Sequence, residues 1–214
     1  KLERQIGAGD ARRVRHISVE GVALMRELIT KHGIECDWVD GTMQTAIKPR
    51  HDQELRDELE TLHGKYGYHT ARYVPRDELR SILDTERYIS ALYDSNTAHL
   101  HPLNYTLGLA VAAERQGARI FESSRALGFR NSREITVNTS VGEVRCKHLI
   151  LCGNVYLGDT APALESKIMA VGTYITATEK LGEARVKKLI ANNAAVADMN
   201  WVLDYFRRSA DHRL

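Results

Sequence analysis

A mixed α+β fold is what the sequence predicts, and three observations carry that reading. Apolar residues recur at three- and four-residue steps from Val14 to Ile29, as on one face of a helix. Pro102 and Gly117 bracket a second helical stretch, with proline at the first helical position and glycine just past the last. From Ala118 onward the apolar period changes to two, with turn residues between short runs, as in an antiparallel meander.

Taken in order, the first helix carries Val14, Ile17, Val22, Met25, Leu28 and Ile29 on its apolar face; Asp10 is placed to cap it and Gly33 to end it. Residues 34–47 alternate as two short strands, with Asp40-Gly41 as the hairpin turn and Pro49 closing the unit. Asp52 is expected to cap a second helix whose stripe is Leu55, Leu59 and Leu62, and Gly64 and Gly67 break it. A short strand over 68–74, a brief helix opened by Pro75 and an extended segment over 88–93 follow. The helix from Pro102 holds Gly108, Ala110, Ala112 and Ala113, small enough to pack closely on a sheet. Four strands are expected over 118–122, 125–130, 134–139 and 143–152. The last ends in Leu149-Ile150-Leu151-Cys152, apolar throughout, as in a strand buried on both faces. Beyond Pro162 come a long strand over 168–178, a short helix over 183–190 and an extended stretch over 196–208. Helices, meanders and one buried strand fit α+β, or part of an α/β fold.

Composition narrows the function classes. With 30 basic and 28 acidic side chains among 214 residues, a net charge of +2 and 43% hydrophobic content, the chain is no disordered tail. It has no charge excess that would recruit nucleic acid or an anionic membrane surface, and no apolar run approaches the roughly 20 residues of a membrane span. Cys36, Cys146 and Cys152 are odd in number and form no CxxC pair; they are expected as small core fillers in a reduced, cytoplasmic setting. The Lys at position 1, and an apolar segment 201–206 so near the other end, are expected of a piece of a longer protein.

Motifs for common chemistries are missing. Gly7-Ala8-Gly9 has Arg12 where the dinucleotide fingerprint needs its third glycine, and no buried strand precedes it. His99 and His101 would project to one side of an extended segment, but no acidic or cysteine partner stands at metal-binding spacing, so a structural or pocket-lining role is expected. Cys152 at an apolar strand end lacks the electropositive setting of a nucleophile. The turn Cys152-Gly153-Asn154 is small enough either to admit a ligand closely or simply to close a strand tightly.

Longer segments carry a family resemblance: His99-Leu-His-Pro-Leu-Asn-Tyr105 with its helix to Gly117, the runs 118–127 and 148–158, the stretch 167–182, and Asp198-Met-Asn-Trp-Val-Leu-Asp-Tyr-Phe-Arg-Arg208 with its continuation to Leu214. Together they resemble the D-amino-acid oxidase-like family of FAD-dependent oxidoreductases, and within it the members that oxidise γ-glutamylputrescine. The resemblance implies an antiparallel substrate-domain sheet with helices plus part of an FAD-binding α/β domain, made of the meander and one buried strand. It implies substrate-domain parts over 1–100 and 159–214, and a part of the FAD-binding domain over 101–158. It also implies FAD as cofactor, a small-molecule amine as substrate, hydride transfer from an amine carbon to the flavin, and hydrolysis of the resulting imine.

Carried over residue by residue, Ala126 holds the position whose backbone meets the FAD adenine. Cys152, Gly153 and Asn154 hold the small-residue turn beside the cofactor, where the family more often has Ala-Thr-Gly. Tyr205 and Arg207, on one side of an extended segment, are implied to line the amine-side cavity, Arg207 taking a substrate carboxylate; Tyr174 is a further candidate. The diphosphate-binding GxGxxG unit of the family is not among these residues, so weak flavin binding and no activity are expected of these 214 residues alone. The alternatives are a family enzyme acting on a sarcosine- or glycine-type amine, and a non-catalytic binding or assembly module.

Overall fold

The computed structural model describes residues 2–214. In chain order the elements are α1 (Leu2–His32), β1 (Val39–Ala46), α2 (Pro49–Glu60), β2 (Ala71–Pro75), α3 (Arg76–Ile82), β3 (Ser90–His99) and α4 (Pro102–Arg115). They continue with β4 (Ala126–Asn131), β5 (Ile135–Thr139), β6 (Gly142–Cys146), α5 (Pro162–Glu165), α6 (Glu183–Leu189), β7 (Ala195–Asp198) and β8 (Tyr205–Phe206). Two compact units form: one runs up to Ala113 and resumes over Ala177–Leu214, the other is Glu114–Thr176. Their boundaries fall at 113/114 and 176/177, where the sequence reading divides the chain at 100/101 and 158/159.

The first unit is built on a five-stranded sheet of order β2-β3-β1-β7-β8. All neighbours are antiparallel except β1 and β7, which run parallel from Thr42↔Ala195 to Thr45↔Asp198. The expected antiparallel sheet therefore has one parallel seam, which only a long crossover can make, and residues 47–194 supply it. Side chains alternate across the sheet. Met43, Val74 and Ala91 face one core with Leu79, Leu83 and Ile190; Ala46, Ala71 and Leu92 face another with Leu55 and Leu62. Burial on both faces makes β1 and β3 the rigid centre of the unit.

Several local expectations change here. Gly7 (φ 81, ψ 161) is non-helical within α1, so the continuous helix starts just after it. Asp10 then lies inside the helix and accepts a hydrogen bond from Arg13 (3.3 Å) rather than capping. Gly33 does end α1, at φ 62, and the Ile34 N–H returns to the Ile29 carbonyl at 3.0 Å, closing the helix in a Schellman pattern. Asp40-Gly41 is no hairpin: β1 runs straight through it, and Gly41 (φ 102) sits where the β1–β3 register shifts between Asp40 and Thr42. A ten-residue partner in β3 outweighs a two-residue turn whose first arm is engaged elsewhere, the Cys36 carbonyl accepting from the His101 N–H at 2.7 Å. Pro49 opens α2 instead of closing the strand, and Asp52, in its first turn, accepts from Tyr73 Oη (2.5 Å) and Arg56 Nε (3.0 Å). The extended stretch 196–208 is two strands, β7 and β8, joined by a loop.

The second unit holds the three-stranded meander β4-β5-β6, antiparallel from Ala126↔Thr139 to Ile135↔Cys146. Residues 118–122 form no strand. Nor does Leu149-Ile150-Leu151-Cys152: it is irregular, Ile150 is 83% exposed and Cys152 is exposed. A strand buried on both faces needs neighbours to pair with, and no described segment pairs with this one. The long strand expected over 168–178 fails for the same reason; Met169, Val171 and Ile175 all stand exposed. Of the cysteines only Cys36 is a core filler, Cys146 being half-buried.

Candidate functional site

In the first unit the features converge where β3 and β8 end. Phe206 of β8 turns into the core and stacks on Tyr88, with ring centroids 6.4 Å apart. Alternation then sends Tyr205 and Arg207 to the other side; Tyr205 is exposed and Arg207 half-buried. Arg207 Nη1 lies 3.1 Å from His99 Nδ1, and His99 Nε2 lies 2.7 Å from the Asn193 carbonyl oxygen. A carbonyl only accepts, so Nε2 carries the proton and Nδ1 presents a lone pair to the guanidinium. Burial holds the His99 pKa below its ordinary value, and the neighbouring Arg207 and Arg208 charges push the same way. Among the described residues no carboxylate lies within ion-pair distance of Arg207, so its remaining donors are free for an anionic group.

The loop that delivers β8 is held by Asp198, whose side chain is fully buried. Asp198 accepts from Asn200 N (3.0 Å), Asn200 Nδ2 (3.0 Å) and Asp204 N (3.2 Å), and Arg87 Nη2 bridges Asp198 and Asp204 at 3.4 and 2.8 Å. This brace escapes sequence reasoning, because nothing in the spacing of Arg87 and Asp198 signals their contact. His99 and His101 serve separately: His101 Nδ1 accepts from the Asn104 N–H (3.3 Å) at the start of α4. Tyr174 lies in the other unit with its side chain 92% exposed.

The second unit brings Ala126, Cys152 and Gly153 to one cavity of about 300 Å³, walled by Phe129, Val137, Leu151 and Tyr156; Asn154 lines the neighbouring hollow. Thr160 Oγ1 donates to the Ala126 carbonyl (2.9 Å), tying the first meander strand to the turn. A Cβ at Gly153 would stand 2.8 Å from Leu157 Cδ2, so a larger residue there would displace that side chain.

The profile of the FAD dependent oxidoreductase (DAO) family matches residues 4–214, and the chain belongs to that family. Among curated relatives, γ-glutamylputrescine oxidoreductase of Escherichia coli (strain K12) is 33% identical over 214 residues, which are 100% of this chain and 50% of the relative. A probable oxidoreductase OrdL of Haemophilus influenzae is 35% identical over 217 residues, 99% of this chain and 50% of the relative. The crystal structure of L-proline dehydrogenase from P. horikoshii matches with a TM-score of 0.70 at 16% identity, covering 91% of this chain and 52% of that one. Glycine oxidase from Geobacillus kaustophilus matches with a TM-score of 0.68 at 16% identity, covering 90% and 50%. The chain thus spans about half the length of the relatives it matches.

Members of this family are FAD dependent, and the residues present fit part of that cofactor. The 300 Å³ cavity of the second unit is mostly apolar, with Arg125 among its lining residues, and a flat uncharged ring can rest against such a wall. A diphosphate needs glycine amides at a helix N-terminus, and no complete motif of that kind occurs among the described residues.

Proposed function

We propose that the intact protein oxidises a C–N bond of an amine bearing a carboxylate, of the γ-glutamylputrescine type, in a cytoplasmic setting. The observation that carries this reading is Arg207: a half-buried guanidinium held on one nitrogen by His99 and free of carboxylate partners among the described residues. The 33% identity to γ-glutamylputrescine oxidoreductase over the whole chain supports the same substrate class. Arg207 takes the carboxylate through its remaining fork of donors, and exposed Tyr205 on the same side packs along the aliphatic part of the substrate. Ala126 meets the adenine of FAD through its backbone, the turn Cys152-Gly153-Asn154 lies beside the cofactor, and Tyr174 is a weaker candidate for a substrate contact. The chemistry FAD supplies when bound is acceptance of the hydride. No helix among the described residues is long and apolar enough to cross a membrane.

Two experiments test the reading. In the intact protein, Arg207→Ala should raise KM for γ-glutamylputrescine by about 10- to 100-fold, the worth of a hydrogen bond to a charged group; an unchanged KM discards the carboxylate role. The 214-residue chain titrated with FAD should bind only weakly, because ring contacts alone remain; stoichiometric uptake at low micromolar flavin contradicts that partition.

A further inference from the structure

We propose that His99 is the positioning residue for Arg207, a fixed acceptor that aims its guanidinium at the substrate carboxylate and so sets the preference for acidic amines. The inference rests on the reading of Arg207 given above and goes one residue further, to what makes that arginine selective.

An arginine on a short edge strand is a floppy anion receptor. Four rotatable bonds must be frozen for each productive contact, and that loss weakens binding. β8 has only two residues, and Arg207 follows it directly. The imidazole addresses this with two hydrogen bonds, to the Asn193 carbonyl from Nε2 and from Arg207 to Nδ1. Three elements that are separate in the chain meet there: the end of β3, the turn before β7, and the end of β8. The Asn193 end is itself fixed. Asn193 adopts φ 56, a conformation asparagine tolerates; its N–H returns to the Ile190 carbonyl (3.4 Å), and buried Ala194 donates to Asn192 Oδ1 (3.1 Å). The anchor is therefore backbone.

Polarity selects the protonation state that works. An imidazolium has no lone pair and would turn an N–H toward the guanidinium, and the charged groups bearing on His99 are Arg207 and Arg208, both cationic. The ring stays neutral and accepting. Held by one nitrogen, the guanidinium keeps its other N–H groups in a defined plane for a carboxylate.

The test uses the intact protein with γ-glutamylputrescine as substrate, and glutarate and butylamine as competitive inhibitors carrying the acid and the amine halves separately. His99→Phe should raise KM and the glutarate Ki about tenfold, leaving kcat within about twofold and the butylamine Ki unchanged. His99→Asn places an oxygen near the Nδ1 position and should restore most of the loss; His99→Gln keeps a donor toward Asn193 but loses that acceptor and should not. The contrast of Asn with Gln decides the matter even if the Phe variant fails to fold. His99→Phe combined with Arg207→Ala should be no worse than Arg207→Ala alone, because His99 acts only through Arg207. Equal loss of glutarate and butylamine affinity, or additive effects in the double variant, overturns the role of His99. If Arg207→Ala itself leaves glutarate binding unchanged, the underlying reading of Arg207 fails instead.

Discussion

Gly41 has its backbone at φ 102 within a strand, and a Cβ there would lie 2.5 Å from Tyr93 Oη. Strain and contact act in the same direction, so Gly41→Ala should destabilise the chain by more than about 1 kcal/mol, and should cost less when introduced into Tyr93→Ala, which relieves the contact but not the φ. Chemical denaturation of the single and double variants measures both parts. Asp198 presents a different residue-scale case. Its buried carboxylate gathers two backbone N–H groups, an amide and a guanidinium, and Asp198→Ala leaves those donors unpaired. A loss of about 2–3 kcal/mol follows from unsatisfied donors, discounted because Arg87 is half exposed. His99 adds a pH signature. Its folded pKa lies below the ordinary 6.5, chiefly through burial, so the unfolded chain takes up protons first as pH falls. Its contribution to stability is complete above 6.5 and drains away as pH drops toward the folded value. Melting temperature should therefore fall more between pH 7.5 and 5 in the native chain than in His99→Gln; parallel curves reject this.

At the scale of elements, α4 rests through a glycine against Ile34, in the segment that follows α1. A Cβ on Gly108 would stand 2.3 Å from Cγ2 of buried Ile34. Two effects oppose each other: alanine improves helix propensity by about 1 kcal/mol, while overpacking costs about 1–3 kcal/mol. Overpacking wins here because Ile34 is held by the turn that closes α1, so Gly108→Ala should destabilise. Gly108→Ala should cost less when introduced into Ile34→Ala, a coupling readable from a double-variant cycle. Helices of this kind were legible in the residues: Pro102 and Gly117 bracket α4, Gly33 ends α1, and Pro75 precedes α3, since each signal is local backbone chemistry. Strands were less so. Asp40-Gly41 carries a strong hairpin signature, yet its glycine serves a register shift opposite β3, a partner fifty residues away.

At the scale of the whole molecule, the two units differ in how completely they bury their apolar residues. β1 and β3 are covered on both faces, whereas Ile150, Met169, Val171 and Ile175 of the second unit are open to solvent. Hydrogen exchange on the 214-residue chain should show amides of β1 and β3 protected to the level of global unfolding, while those of 149–152 and 169–176 exchange within seconds. Strong protection of the latter two stretches would contradict the structure.

What the residues determined by themselves was the α+β character, most helix limits, the meander and the family, because propensities, caps, turns and long characteristic segments are local properties of the chain. The small-residue turn and the arginine just after β8 were legible as candidates on the same footing. Tertiary structure decided the parallel β1–β7 seam, the irregular course of 149–152 and 168–176, the Arg87–Asp198 brace, and the meeting of His99, Asn193 and Arg207. Each of these depends on which distant segment supplies a hydrogen-bonding partner. Partner choice is set by the packing of the whole unit, and no window of sequence contains it.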